Sequence, residues 1–144
     1  MDEKVIENSY MRRIHLISLA VVFWQFLASA QLTVAVSQPK VTGSKAVVKL
    51  EMKNAFEEPV QSARATVFLV NGQNKVIGQS AKWVIGGTPK LSSLAAGGTN
   101  AFFFVFRSGE PFTTTNLTAK VTFGRVLLKS GKVVDVKQKV ELQK

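Results

Sequence analysis

Residues 45–53 read KAVVKLEMK, and their polarity keeps a period of two. Ala46, Val48, Leu50 and Met52 fall on one side, and Lys45, Lys49, Glu51 and Lys53 on the other. Successive side chains of an extended chain point to opposite faces, so this predicts a strand with one buried and one wet face. A helix would need its apolar positions three and four apart. The period recurs and so constrains most of the chain. In residues 61–70, Ala63, Ala65, Val67 and Leu69 alternate with Ser62, Arg64, Thr66 and Phe68. In residues 132–142, Val134, Val136, Val140 and Leu142 point inward, and Val133, Asp135, Lys137, Lys139 and Glu141 outward.

Turn signals separate these runs. Pro59 closes the first, since it has no N–H to give to a ladder. Asn71-Gly72 predicts a tight hairpin, because both residues tolerate positive φ. Residues 75–85 return as one strand or two, broken near Gly78, and Gly86-Gly87-Thr88-Pro89 is a loop. Residues 91–96 lead into Gly97-Gly98. Then comes AFFFVF, residues 101–106, with Phe102, Phe104 and Phe106 on one face and Phe103 and Val105 on the other. Both faces are apolar, which predicts a central strand covered on both sides. Residues 117–128 and 132–142 form a last pair around Ser130-Gly131, with Gly124 marking a bulge.

The count is seven or eight antiparallel strands, spaced about ten residues apart, with no helix after residue 30. The expected fold is all-β, an immunoglobulin-like β-sandwich forming one domain over residues 31–144. There is no cysteine, so neither a disulfide scaffold nor the Cys–Trp–Cys core of antibody domains is present.

The first thirty residues differ. Arg12 and Arg13 precede an apolar run over residues 16–30, broken only by Ser18, Gln25 and Ser29. Ala28-Ser29-Ala30 ends the run with small residues just before Gln31. These are the three parts of a secretory signal peptide, with cleavage between Ala30 and Gln31. The run is about 15 residues long, short of the roughly 20 of a spanning helix. The alternative is an uncleaved anchor over residues 12–36, because Leu32, Val34, Ala35 and Val36 continue the apolar character. Those residues also fit a first strand. Either way the domain is expected outside the cytoplasm, periplasmic or extracellular, and membrane-held only if the leader is retained.

Three patches resemble FxLYD-type domains, small immunoglobulin-like modules of exported bacterial proteins. They are ATVFLVNGQNKVIG (65–78), LAAGGTNAFFF (94–104) and VKLEMKNAFEEPVQSARATVFL (48–69). The last is also similar to the late-embryogenesis water-stress domain. Where the FxLYD group carries Tyr-Asp before its turn, this chain has Val70-Asn71. The resemblance implies a fold and a compartment, and carries over no catalytic residue.

His15, the only histidine, lies in the leader. The domain therefore lacks Ser–His and Cys–His nucleophilic pairs and His or Cys zinc ligands. Its carboxylates are Glu51, Glu57, Glu58, Glu110, Asp135 and Glu141. Glu57 and Glu58 are neighbours in a turn, not a pair across a cleft. Lys90, Ser92 and Ser93 have no spacing that selects them as a dyad. A non-enzymatic chain without metal or cofactor is expected.

Binding remains. Sixteen of the nineteen basic residues and six of the nine acidic ones lie after residue 30, so the net +10 belongs to the domain. Lys45, Lys49, Lys53, Lys132, Lys137 and Lys139 are candidates for a surface that takes an anionic lipid head group or acidic polysaccharide. No dense basic run points to nucleic acid. Trp83 is a candidate aromatic contact. An edge strand pairing with another envelope protein is a further route to a partner.

Overall fold

A computed structural model of the chain describes residues 31–136 and 140–142. Among these there are nine strands and no helix. They are β1 (Leu32–Val36), β2 (Lys40–Thr42), β3 (Lys45–Asn54), β4 (Val60–Asn71), β5 (Val76–Ile85), β6 (Thr99–Arg107), β7 (Leu117–Leu128), β8 (Val133–Val134) and β9 (Val140–Leu142). They form two sheets. In the first, β3 is the hub: β1 and β2 share one of its edges, β6 runs along the other, and β9 adds to β1. The second has the order β5-β4-β7-β8.

The alternation read from the sequence sets which faces meet. Ala46, Val48, Leu50 and Met52 of β3 are buried, as are Ala63, Ala65, Val67 and Leu69 of β4. They join Phe104, Phe106 and Val121 in one core between the sheets. The architecture is an all-β sandwich.

Three details depart from the sequence expectations. The strand count is nine rather than seven or eight. The last run does not form one strand: β8 pairs with β7 in the second sheet, whereas β9 lies in the first and pairs parallel with β1. A period of two reads the same whichever sheet a strand joins. The hairpin after β4 is not a two-residue turn on Asn71-Gly72. The Asn74 N–H donates to the Asn71 carbonyl at 3.0 Å, and Asn74 takes the positive φ, 60°. The Asn71 side-chain oxygen accepts from the N–H groups of Gln73 and Lys75, both at 3.0 Å, and so holds this longer loop. Gly72 itself does not take a positive φ; a Cβ there would lie 2.7 Å from the side-chain amide nitrogen of the exposed Asn116. The bulge expected at Gly124 is present, with one extra residue of β7 opposite Arg64.

One end of the sandwich is tied by Asn54, the one buried polar side chain among the described residues. Its Nδ2 donates toward the carbonyls of Glu58, Leu94 and Ala95 at 3.0, 3.0 and 3.1 Å. Its Oδ1 accepts from the Phe56 N–H at 2.9 Å. Two turns far apart in sequence thus share one amide. Glu58 adds a second tie. Its carboxylate accepts from the N–H and hydroxyl of Ser130 at 2.7 and 2.9 Å, joining the β3–β4 and β7–β8 turns.

Candidate functional site

Among the described residues the two sheets leave five edge strands, and these are unequal. β2, β8 and β9 are only three, two and three residues long. β5 and β6 are long and bound the same open side of the sandwich. Between them runs a groove of about 540 Å³, lined by Ile77, Gly78, Val105, Phe106 and Phe112 among others.

β5 carries the devices that blunt an edge. Its register against β4 slips twice, leaving Ile77 and Val84 as extra residues, and Lys82 lies along it. Bulges and lysines discourage pairing with another chain. The Lys82 ammonium sits 5.9 Å from the centre of the Phe104 ring.

β6 has no bulge and no lysine, and its one charged residue, Arg107, is its last. Its nine pairs with β3 run without a register shift, and it contains no proline. Flanking bonds fix which backbone groups are free. Ser108 N–H donates to the Ser44 carbonyl, and Asn54 N–H to the Gly98 carbonyl, both at 2.9 Å. Hydrogen-bonded and non-bonded pairs alternate along an antiparallel ladder. The even residues of β6 therefore bond to β3. The N–H and C=O groups of Thr99, Ala101, Phe103, Val105 and Arg107 point to the other edge, where no described strand pairs with them. The side chains of these same residues face outward. Phe103 is 56% exposed and Val105 36%.

This corrects the expectation for AFFFVF. The strand is not central and its second face is not covered. Phe104 and Phe106 enter the core, and Phe102 packs against Phe104 with ring centres 5.3 Å apart, but Phe103 and Val105 meet solvent. A run apolar on both faces signals a need for cover; it does not say that the same fold supplies it.

The other predicted residues are spread out. Lys45, Lys49 and Lys53 share the outer face of β3, about 13 Å from one to the next. Lys49 is ion-paired with Glu51. Lys132 belongs to the β7–β8 turn of the other sheet, beside Glu57, Glu58 and Phe56. Lys137 and Lys139 lie outside the described residues, as do Ala28 and Ala30. Gln31 leads directly into β1, and its carbonyl accepts from the Ala55 N–H at 3.0 Å.

Trp83 is half-buried on the outer face of β5, opposite Arg64 of β4. The Gly86-Gly87 turn closes over it. A Cβ on Gly87 would lie 2.3 Å from the indole, and Gly87 has φ +72°. One region of the ring is therefore taken up by the turn.

Sequence reasoning missed the face around Trp83. Arg64 and Phe68 of β4 share it with Lys120 of β7, which pairs with Phe68, and Arg125 lies in the β7 bulge beside Arg64. β4, β5 and β7 contain no acidic residue. The signal was the outward half of each alternating strand, read across three strands rather than along one.

Among the described residues Glu51 is ion-paired with Lys49. Glu57 is exposed, and Glu58 is engaged by Ser130. No three of His, Cys, Asp and Glu gather among the described residues. A shallow depression of about 440 Å³ on the outer face of the first sheet is lined by small residues such as Thr33, Ala35, Thr99 and Ala101, with Glu51 and Lys53 at its side.

No family model matches the sequence, and no curated protein matches it. A solved structure is similar: a protein of Bordetella pertussis with a provisional ApaA designation. The alignment covers 75% of this chain and 89% of that one, at 18% identity and a TM-score of 0.51. The likeness is one of fold alone.

Proposed function

We propose that the chain is an exported, immunoglobulin-like module of the FxLYD kind, without catalytic activity, that binds a protein partner at the cell envelope by strand addition at β6. One observation carries this reading. β6 is a long, unbulged edge with free backbone groups and two exposed apolar side chains, beside a β5 edge that is bulged and bears a lysine. Main-chain bonds along such an edge supply affinity, and alternate side chains supply selectivity. The immunoglobulin-like assignment is supported by two facing sheets with β3 and β4 on opposite sides of the core, and by a last run that touches both sheets. Export is supported by the signal-peptide pattern ending at Ala30.

The test uses a labelled peptide of alternating valine and threonine with glutamate at its ends. Its anisotropy is titrated with the wild-type protein and with Val105→Pro. The Val105 N–H faces the free edge, so proline there removes a donor without touching the ladder to β3. Saturable binding that the variant loses supports the reading. Absence of binding, or equal binding by both, refutes it.

A second reading has its own observation, the acid-free outer face of β4, β5 and β7 with Arg64, Lys120 and Arg125 beside Trp83 and Phe68. It would take an anionic envelope polymer or lipid surface. Binding to acidic polysaccharide that falls steeply with salt, and that Arg64→Glu with Lys120→Glu abolishes, would support it.

A further inference from the structure

We infer that the strand added at β6 is the β6 of a second copy of this chain, giving a two-fold dimer with one sheet continuous through both. This rests on the edge reading above and names its occupant. The free groups belong to residues 99, 101, 103, 105 and 107, and an antiparallel partner must offer groups of the same parity. β6 meets that need against itself. Phe103 is the midpoint of Thr99–Arg107, so the register with the longest overlap sets Phe103 against the partner's Phe103.

The side chains agree with that register. Val105 falls opposite Ala101, a large residue beside a small one, on the same outer face. Arg107 falls opposite Thr99, not another cation. The edge from Thr99 to Val105 bears no ionisable side chain. Phe103, the most exposed large apolar side chain among the described residues, lies on the two-fold axis, where both copies are covered together.

Charge gives the dimer a distinguishing property. Two chains of net +10 repel one another, and Lys45, Lys53 and Arg107 flank the seam. Salt screens that repulsion, so self-association strengthens as salt rises. Docking of an acidic strand from another protein would weaken instead.

The experiment is sedimentation of the purified chain at roughly 0.1 mM in about 0.05 M and about 0.5 M salt, alongside a cysteine series. The wild type has no cysteine, so Phe103→Cys places one thiol at the axis. Paired residues there are about 5.5 Å apart at Cα, within disulfide reach. Expected are a dimer whose fraction grows with salt, at least a tenfold (order-of-magnitude) weakening in Val105→Pro with unchanged melting, and oxidative cross-linking of Phe103→Cys. Val105→Cys alone, whose partner is Ala101, should cross-link far less. A monomer at both salt levels overturns the inference. So does a dimer that Val105→Pro leaves intact, or equal cross-linking of both variants. If the chain is monomeric but the peptide of the preceding section still binds, only the second copy fails as occupant. If neither binds, the edge reading fails too.

Discussion

Replacing Asn54 by alanine should unfasten one end of the sandwich, and the cost follows from its hydrogen bonds. The side chain is fully buried. Without it, the Leu94 carbonyl keeps the Val60 N–H and the Ala95 carbonyl keeps the Gly98 N–H, both at 2.9 Å. The Glu58 carbonyl and the Phe56 N–H lose their partner. Each orphaned buried group costs about 1–3 kcal/mol. Both belong to a turn that water can partly reach, so a total near the lower middle, about 3 kcal/mol, is expected. For a domain of this size 1 kcal/mol moves the melting point by about 4 °C, hence a drop of about 12 °C. Circular dichroism through urea and thermal unfolding reads both values.

Asn54→Asp sharpens the test. The carboxylate can still accept from Phe56, but it points its other oxygen at three carbonyls in a buried site. Burial raises such an acid's pKa in the folded state. The folded state then holds a proton that the unfolded chain gives up at about 3.9. The penalty is therefore smallest in acid and grows as pH rises from there to the folded value. At neutral pH the expected order of stability is wild type, Asn54→Ala, Asn54→Asp. A loss below about 1 kcal/mol for alanine, or an aspartate variant as stable as alanine at neutral pH, would refute the reasoning.

Three further outcomes follow from neighbouring residues that differ in environment. Phe104→Ala should cost about 3–5 kcal/mol, because Phe104 is wholly buried, while Phe103→Ala should cost under about 0.5 kcal/mol; equal losses in urea melts would contradict the assignment of faces. Gly87→Ala should cost more than about 1 kcal/mol and shift tryptophan emission, since its Cβ would collide with Trp83 at a positive φ; unchanged emission and stability would disprove the close approach. Glu58→Ala should lower stability by about 1 kcal/mol through loss of Ser130, with Glu57→Ala near neutral; thermal melts of the two variants decide it.

These residues also mark what the sequence could tell. The faces of β3 and β4 were legible, because a period of two is local and needs no knowledge of the partner strand. So was the Gly124 bulge, since glycine inside a strand pattern has few other uses. Asn54 was not legible. It stands at the end of an alternating run, five residues before Pro59, and its partners Leu94 and Ala95 lie some forty residues away. The parallel pairing of β9 with β1 was hidden for the same reason. Asn71-Gly72 misled differently. The pair is a real turn signal, but the asparagine oxygen found two backbone N–H groups further on and moved the positive φ to Asn74.

The candidate site was half legible. The apolar second face of AFFFVF was plain, and its exposure was not, because cover can come from the same chain or from another. The unequal edges bear on that choice. Were the open side merely a defect of the fold, β5 and β6 would carry equal risk of unwanted pairing, yet only β5 is bulged and lysine-bearing. A nine-residue edge is small beside the roughly 800 Å² per partner of a standard interface, and association must also overcome lost rigid-body freedom. Pairing at β6 is thus expected to be weak and concentration-dependent. Weakness of that kind lets an unprotected edge coexist with a discrete, unaggregated protein: the two-fold closes on itself, and once β6 is paired, the outer edges of the joined sheet are the short β2 and β9 strands.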